Sequence, residues 1–109
     1  VQGHDVIIVD DEVDTGGTMV NAVNIVQSQG AQDVYLCFAH ALFSPPAVER
    51  LQALSVREIV TTNSIAQTSN GTLSNLTVLS VANLLGEVIQ RVHQGRSVGQ
   101  IFKRYQRYK

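Results

Sequence analysis

The chain has 109 residues, of which 44% are hydrophobic, and a formal net charge of −1 at pH 7. This length allows one domain with a single core, and the near-zero charge gives no global field that would attract nucleic acid or a membrane surface. No apolar run approaches the roughly 20 residues of a membrane-spanning helix. The one cysteine, Cys37, cannot form a disulfide within the chain, which favours a reducing, cytoplasmic compartment.

Strand and helix patterns alternate along the first half of the chain. Residues 5–9 (DVIIV) and 33–40 (DVYLCFAH) are short, mainly apolar runs, typical of strands covered on both faces. Between them apolar residues recur at helical spacing, and Gly30 follows where a helix C-cap belongs. The segment SPPAVERLQAL predicts a short helix with Ser44 as its N-cap and Pro45 in its first turn.

The second half continues the alternation. Residues 56–63 and 76–80 predict two further strands, separated by a polar loop. A clearly amphipathic helix follows, with its apolar face formed by Val81, Leu84, Leu85, Val88, Ile89 and Val92. Residues 97–100 (SVGQ) match a capping box ahead of a last short helix. Alternating β and α units with right-handed crossovers predict an α/β fold, a three-layer parallel sheet flanked by helices.

Acids and glycines are concentrated in residues 10–18 (DDEVDTGGT), directly after the first predicted strand. Four carboxylates within five positions repel one another unless a divalent metal, sugar hydroxyls or solvent relieves the repulsion. The DTGGT part places backbone N–H groups, two hydroxyls and two glycines before a helix N-terminus, where phosphate is favoured. Together they predict a ligand with hydroxyls at one end and phosphate at the other, such as a sugar phosphate. The alternative is a plain strand-to-helix turn with exposed acids.

Three other motifs fail on the sequence. A Walker loop requires a lysine, and no lysine precedes Lys103. An EF-hand counted from Asp10 needs glycine and glutamate where the chain has Thr15 and Asn21. A bacterial receiver domain needs a phosphoacceptor aspartate after the third strand, but residues 61–63 (TTN) stand there and the chain has no later aspartate.

Residues 6–18 (VIIVDDEVDTGGT) resemble the phosphoribosyl-pyrophosphate (PRPP) loop of type I phosphoribosyltransferase folds. The later blocks AHALFSPPAVERL, EIVTTNSI and LSVANLLGEVIQRVHQGRSVGQIF resemble, in order, the C-terminal half of the ribose-phosphate pyrophosphokinase (PRPP synthetase) family. The resemblance implies a phosphoribosyltransferase-like domain over residues 1–102, followed by a basic tail over 103–109. It also implies an incomplete fold, because the chain would hold only the C-terminal half of the enzyme.

The resemblance implies an activity and a set of ligand-binding residues. The family transfers diphosphate from ATP to the 1-hydroxyl of ribose 5-phosphate, with Mg²⁺. By position, Asp10 and Asp11 would bind the ribose hydroxyls, directly or through the metal. The residues that would form the 5-phosphate cradle are Asp14, Thr15, Gly16, Gly17 and Thr18. Glu12 stands where the family usually has an apolar residue.

The same resemblance implies functional parts outside the chain. The catalytic lysine and arginine and the nucleotide-binding elements would precede Val1, so no catalytic residue is expected here and the chain alone would be inactive. ATP would be bound through the N-terminal half, and the enzyme would be a homo-oligomer. Ser97 and Phe102 would lie at a regulatory site between subunits, although Gly99 replaces a serine usual in the family.

Alternatives remain open at this stage. The chain could be a non-catalytic regulatory subunit that keeps the sugar-phosphate loop, or part of a nucleobase phosphoribosyltransferase that shares the loop. His40, at the end of the second strand, is either near the ligand or a structural histidine. The tail KRYQRYK (103–109) has the basic and aromatic residues that bind single-stranded nucleic acid, but a solvated chain end is favoured.

Overall fold

The computed structural model describes residues 1–67 and 73–106 and divides the chain into two compact units, Val1–Leu79 and Ser80–Lys109. The polar loop predicted after the third strand lies partly outside the described residues. So does the end of the basic tail, residues 107–109. None of the helices in the described part of the chain is long and apolar enough to cross a membrane.

The first unit is a parallel sheet with two helices, which confirms the α/β class. Its strands pair in the order β1-β2-β3-β4, with Val6 opposite Val34 and Ile59 opposite Leu76. The elements in chain order are β1 (Val6–Val13), α1 (Gly17–Ser28), β2 (Val34–Ala41), α2 (Ala47–Gln52), β3 (Glu58–Thr62) and β4 (Leu76–Leu79).

Strand β1 is longer than its apolar run. Asp10 pairs with Phe38 of β2 and Glu12 pairs with His40, so three of the four acids belong to the strand and only Asp14 lies in the loop after it. The backbone ladder carries this extension, because hydrogen bonding between strands does not require apolar side chains. The strand therefore delivers its acids at the carboxyl edge of the sheet, where parallel α/β sheets bind ligands.

The helix ends agree with the sequence in one case and contradict it in another. Gly30 has a φ of +82° after α1, and the Gly30 and Ala31 N–H groups donate to Gln27 and Val26 carbonyls at 3.0 and 3.1 Å. This is the Schellman cap that the glycine predicted. The predicted N-cap at Ser44 is wrong. Residues 45 and 46 form a turn, and α2 begins at Ala47, whose N–H donates to the Ser44 carbonyl rather than to its side chain.

The core lies between α1, α2 and one face of the sheet. Its buried residues are Val13, Met19, Val23, Val34, Leu36, Phe38, Ala41, Leu51, Ile59 and Leu73. Residues on the other face of β1 are not covered, since Ile7 is 66% and Val9 72% exposed. The prediction that this strand is buried on both faces is therefore wrong, because both helices of the unit pack on one side. A third layer stays a prediction.

The second unit contains α3 (Ala82–His93) and α4 (Gly99–Tyr105). The predicted amphipathic helix α3 is confirmed as a helix, but none of its residues is buried. The predicted capping box is wrong. No side-chain cap bond forms at α4, and Gln100 instead accepts a hydrogen bond from Arg91 Nη1 at 3.1 Å. Arg91 also donates to the Ser97 carbonyl at 3.0 Å, but of the groups that would have closed the box it occupies only the side-chain oxygen of Gln100.

Candidate functional site

The carboxylates at the end of β1 are held by their own backbone. Asp10 Oδ1 accepts the N–H of Asp11 at 2.8 Å, and Asp11 Oδ1 accepts the N–H of Glu12 at 2.8 Å. All three side chains are exposed. Each contact uses one carboxylate oxygen and fixes the side chain beside the strand, so that two aspartates are presented together at the sheet edge.

The pKa of Asp11 is lowered from its ordinary value. The largest cause is the hydrogen bond with the Asp10 side chain, followed by the hydrogen bond from the Glu12 N–H. His40, which stands opposite Glu12 on β2, adds a weaker electrostatic effect in the same direction. Hydrogen bonds to the charged form favour it, so Asp11 is ionised at neutral pH.

The loop after β1 ends in a helix start that has no side-chain cap. Gly16 is at the N-cap position of α1 with a φ of +82°, a conformation that favours glycine. The first helical hydrogen bond runs from the Val20 N–H to the Gly16 carbonyl at 3.0 Å. The N–H groups of residues 17–19 precede that bond, and such groups carry the positive end of the helix dipole. This geometry is suited to hold an anion.

These residues line one cleft. Its walls are formed by the continuous segment 10–19, and its volume is about 260 Å³. The cleft brings together every predicted ligand-binding residue, namely Asp10, Asp11, Asp14, Thr15, Gly16, Gly17 and Thr18. The acids stand at the strand end of the cleft and the uncapped helix start at the other. Their roles in binding stay a prediction.

The predicted metal ligands suit a loosely held cation. Within residues 1–67 and 73–106, no group of three or more His, Cys, Asp or Glu side chains could hold a metal by itself. Mg²⁺, however, usually binds through one or two carboxylates and completes its shell with water and substrate oxygens. Asp10 and Asp11, adjacent and exposed, fit that mode and not a closed protein cage.

Sequence reasoning did not single out Arg50. This α2 residue donates from Nη1 to the Thr15 carbonyl at 3.1 Å and so contacts the predicted phosphate loop. The two residues are 35 positions apart, and no local pattern joins them, because only the packing of α2 beside the start of α1 brings them together.

The structure places His40 beside the acids and gives it a side-chain partner. Its Nδ1 lies 2.7 Å from Ser64 Oγ, and the Ser64 hydroxyl also lies within 3.1 Å of the Ala39 carbonyl. The ends of β2 and β3 thus lie at the same edge of the sheet as Glu12. The predicted regulatory residues lie in the second unit, where the side chain of Phe102 is exposed. Regulation by Ser97 and Phe102 stays a prediction.

A family comparison decides what this arrangement belongs to. The model of the phosphoribosyl synthetase-associated domain matches residues 1–103. This chain belongs to that family. The cleft at residues 10–19 therefore lies in a phosphoribosyl synthetase-associated domain. This family agrees with the resemblance of residues 6–18 to a PRPP loop.

Individual relatives support the same family. The domain is 47% identical over 102 residues to ribose-phosphate pyrophosphokinase 1, chloroplastic, of Arabidopsis thaliana, covering 94% of this chain and 25% of that protein. It is 46% identical over 104 residues to ribose-phosphate pyrophosphokinase of Synechococcus elongatus, covering 94% and 31%.

A solved structure agrees with the fold. The phosphoribosylpyrophosphate synthetase from Mycobacterium smegmatis superposes with a TM-score of 0.85 at 40% identity, over 87% of this chain and 32% of that one. The domain therefore spans between a quarter and a third of the length of these relatives. Their activity, substrates and partners come to this chain only as proposals.

Proposed function

We propose that this chain is the sugar-phosphate-binding part of a ribose-phosphate pyrophosphokinase. This enzyme transfers diphosphate from ATP to the 1-hydroxyl of ribose 5-phosphate and forms PRPP. The observation that carries the proposal is the single cleft in which strand-borne Asp10 and Asp11 face the same space as the uncapped start of α1. The names of the relatives support the choice of reaction.

The two ends of the cleft suit the two ends of ribose 5-phosphate. Carboxylates accept hydrogen bonds from sugar hydroxyls, and Asp11 is held in its charged, accepting form. The N–H groups of residues 17–19 and the helix dipole bind the phosphate. A substrate fixed at both ends presents its 1-hydroxyl in one orientation, and such positioning supplies a large part of the acceleration of group transfer.

Asp10 and Asp11 would hold Mg²⁺ together with the substrate. When bound, Mg²⁺ neutralises the charge that develops on the transferred phosphoryl groups. The chain's own contribution is to keep two carboxylates side by side at the sheet edge, through the backbone bonds that each accepts.

We place the chain in the C-terminal half of its parent enzyme, because its sequence blocks follow the order of that half. ATP and the cationic catalytic residues would come from the rest of the parent polypeptide, which we expect to be cytoplasmic and homo-oligomeric. The sequence of the parent polypeptide tests the placement. If the 109 residues open that polypeptide, the placement is wrong.

Calorimetric titration of ribose 5-phosphate, with and without Mg²⁺, tests the proposed site. The unaltered chain should bind, and an Asp10→Asn/Asp11→Asn variant should bind at least about tenfold more weakly, a difference of about 1.4 kcal/mol. Circular dichroism of the variant controls for folding. If the folded chain does not bind ribose 5-phosphate, the proposal is wrong.

Assays of the parent polypeptide separate the related functions. Formation of PRPP from ATP and ribose 5-phosphate is the expected result. Binding without turnover would identify a non-catalytic regulatory subunit instead. Release of pyrophosphate from PRPP that depends on a nucleobase would identify a nucleobase phosphoribosyltransferase.

A further inference from the structure

We propose that Arg50 is a positioning residue for the phosphate loop and that its guanidinium supplies a positive charge for the phosphate of the ligand. The inference rests on the proposed function, because it assigns a further residue to the same site. It starts from the hydrogen bond from Arg50 Nη1 to the Thr15 carbonyl, 3.1 Å long.

That bond fixes one peptide plane of the loop. The Thr15 carbonyl and the Gly16 N–H belong to the same planar peptide unit, so holding the oxygen also sets the direction of the N–H. Gly16 has the φ of +82° that opens the loop into α1, and glycine offers little intrinsic resistance to rotation. A bond from outside the loop is therefore what keeps this peptide in one orientation before a ligand arrives.

Helix α2 supports the loop at two successive glycines. A Cβ placed on Gly16 would lie 3.5 Å from the backbone of Ala47, which is fully buried. A Cβ placed on Gly17 would lie 3.4 Å from Arg50 Nη1. Ala47 and Arg50 are three residues apart and share one side of α2. Helix α2 thus packs Ala47 against the loop and donates a hydrogen bond to the loop from Arg50.

The charge of Arg50 matters because the lining of the cleft, to which Arg50 itself does not belong, is acidic and Arg50 is bonded to one of the lining residues, Thr15. Asp10, Asp11, Glu12 and Asp14 all line the cleft, and each repels an incoming phosphate. The guanidinium bonded to Thr15 is a fixed counter-charge beside the helix start. Its planar fork can keep one N–H on the carbonyl and offer others to an anion, which an ammonium group does less well.

Titration of ribose 5-phosphate, ribose and inorganic phosphate into Arg50→Gln and Arg50→Lys variants tests the inference. The matched control is Arg57→Gln, which removes the same charge just before β3, at the opposite edge of the sheet. Arg50→Gln should weaken binding of ribose 5-phosphate and phosphate about fivefold relative to the control, and binding of ribose should not change. Arg50→Lys keeps the charge and loses the planar guanidinium. Its affinity for ribose 5-phosphate should therefore lie between those of the unaltered chain and Arg50→Gln.

A second readout separates positioning from general stability. In ¹⁵N–¹H spectra without ligand, the Gly16 amide should shift in Arg50→Gln and stay in place in Arg57→Gln. Equal phosphate binding by the two variants would overturn the inference and leave the proposed function standing. Absence of ribose 5-phosphate binding by the unaltered chain would overturn both. If Arg50→Gln does not fold, Arg50→Lys decides, since binding equal to that of the unaltered chain contradicts the role.

Discussion

The two ends of α1 use the same backbone conformation for opposite purposes. Gly16 before the helix and Gly30 after it both have a φ of +82°. At Gly30 the chain turns back and its own N–H groups satisfy the last carbonyls of the helix. At Gly16 no side chain caps the helix, and the first N–H groups face a cleft. One end completes its hydrogen bonds internally, and the other leaves its first N–H groups at the cleft that we propose as the phosphate site.

The difference shows how a fold separates stability from binding. A fully bonded helix end contributes only to the free energy of unfolding. An open end forgoes part of that contribution, because unsatisfied N–H groups must be solvated, and gains an anion site in return. A change at Gly16 should therefore affect both ligand binding and stability, and a change at Gly30 should affect stability alone.

The largest effect is expected from Gly16→Ala. An L-residue at this φ costs about 1–2 kcal/mol of folding free energy. The added Cβ would lie 3.5 Å from the Ala47 backbone, an ordinary van der Waals distance, so the strain comes from the backbone angle and its relief would rotate the peptides of the loop. We expect urea unfolding to show this loss and calorimetry to show at least about tenfold weaker binding of ribose 5-phosphate. Unchanged affinity would mean that the loop does not bind the ligand.

Gly30→Ala should affect stability alone. The expected loss is about 1 kcal/mol, from the same backbone conformation. Its Cβ would lie 3.1 Å from Gln2 Cγ, an exposed and flexible side chain that can move aside. Asparagine tolerates the left-handed region better, so Gly30→Asn should be milder. A fall in ribose 5-phosphate affinity in either variant would contradict the separation of the two ends.

The smallest effect concerns the pH dependence of Asp11. Because its pKa in the folded chain is below the ordinary 3.8, the charged carboxylate contributes to stability above that value. The contribution is lost as the pH falls below 3.8 toward the folded pKa. Thermal unfolding should therefore be less acid-sensitive in Asp11→Asn than in the unaltered chain. If the melting temperatures of the two chains depended on pH in the same way, the lowered pKa of Asp11 would be contradicted.

Local sequence features were reliable where their causes are local. The alternation of apolar runs and helical spacing indicated four parallel strands, and a glycine in the right place indicated the C-cap at Gly30. The candidate cleft could also be found from the sequence, since its walls are one continuous segment, residues 10–19. Two predicted helix N-caps were wrong because of interactions outside the capping pattern. Ser44 and the box at 97–100 had suitable side chains, but a turn at residues 45 and 46 precedes α2, and Arg91 takes the side-chain oxygen of Gln100.

The sequence by itself determined the class of fold and the presence of an acid cluster followed by a glycine-containing strand-to-helix loop. Those features depend on residues that are neighbours along the chain. Only the tertiary structure decided that β1 continues through its acids, because pairing with β2 supplies the backbone bonds. It also decided that Arg50 reaches the loop and that Ile7 and Val9 are uncovered. These depend on which surfaces meet, and packing between distant segments leaves no periodic signal in a single sequence.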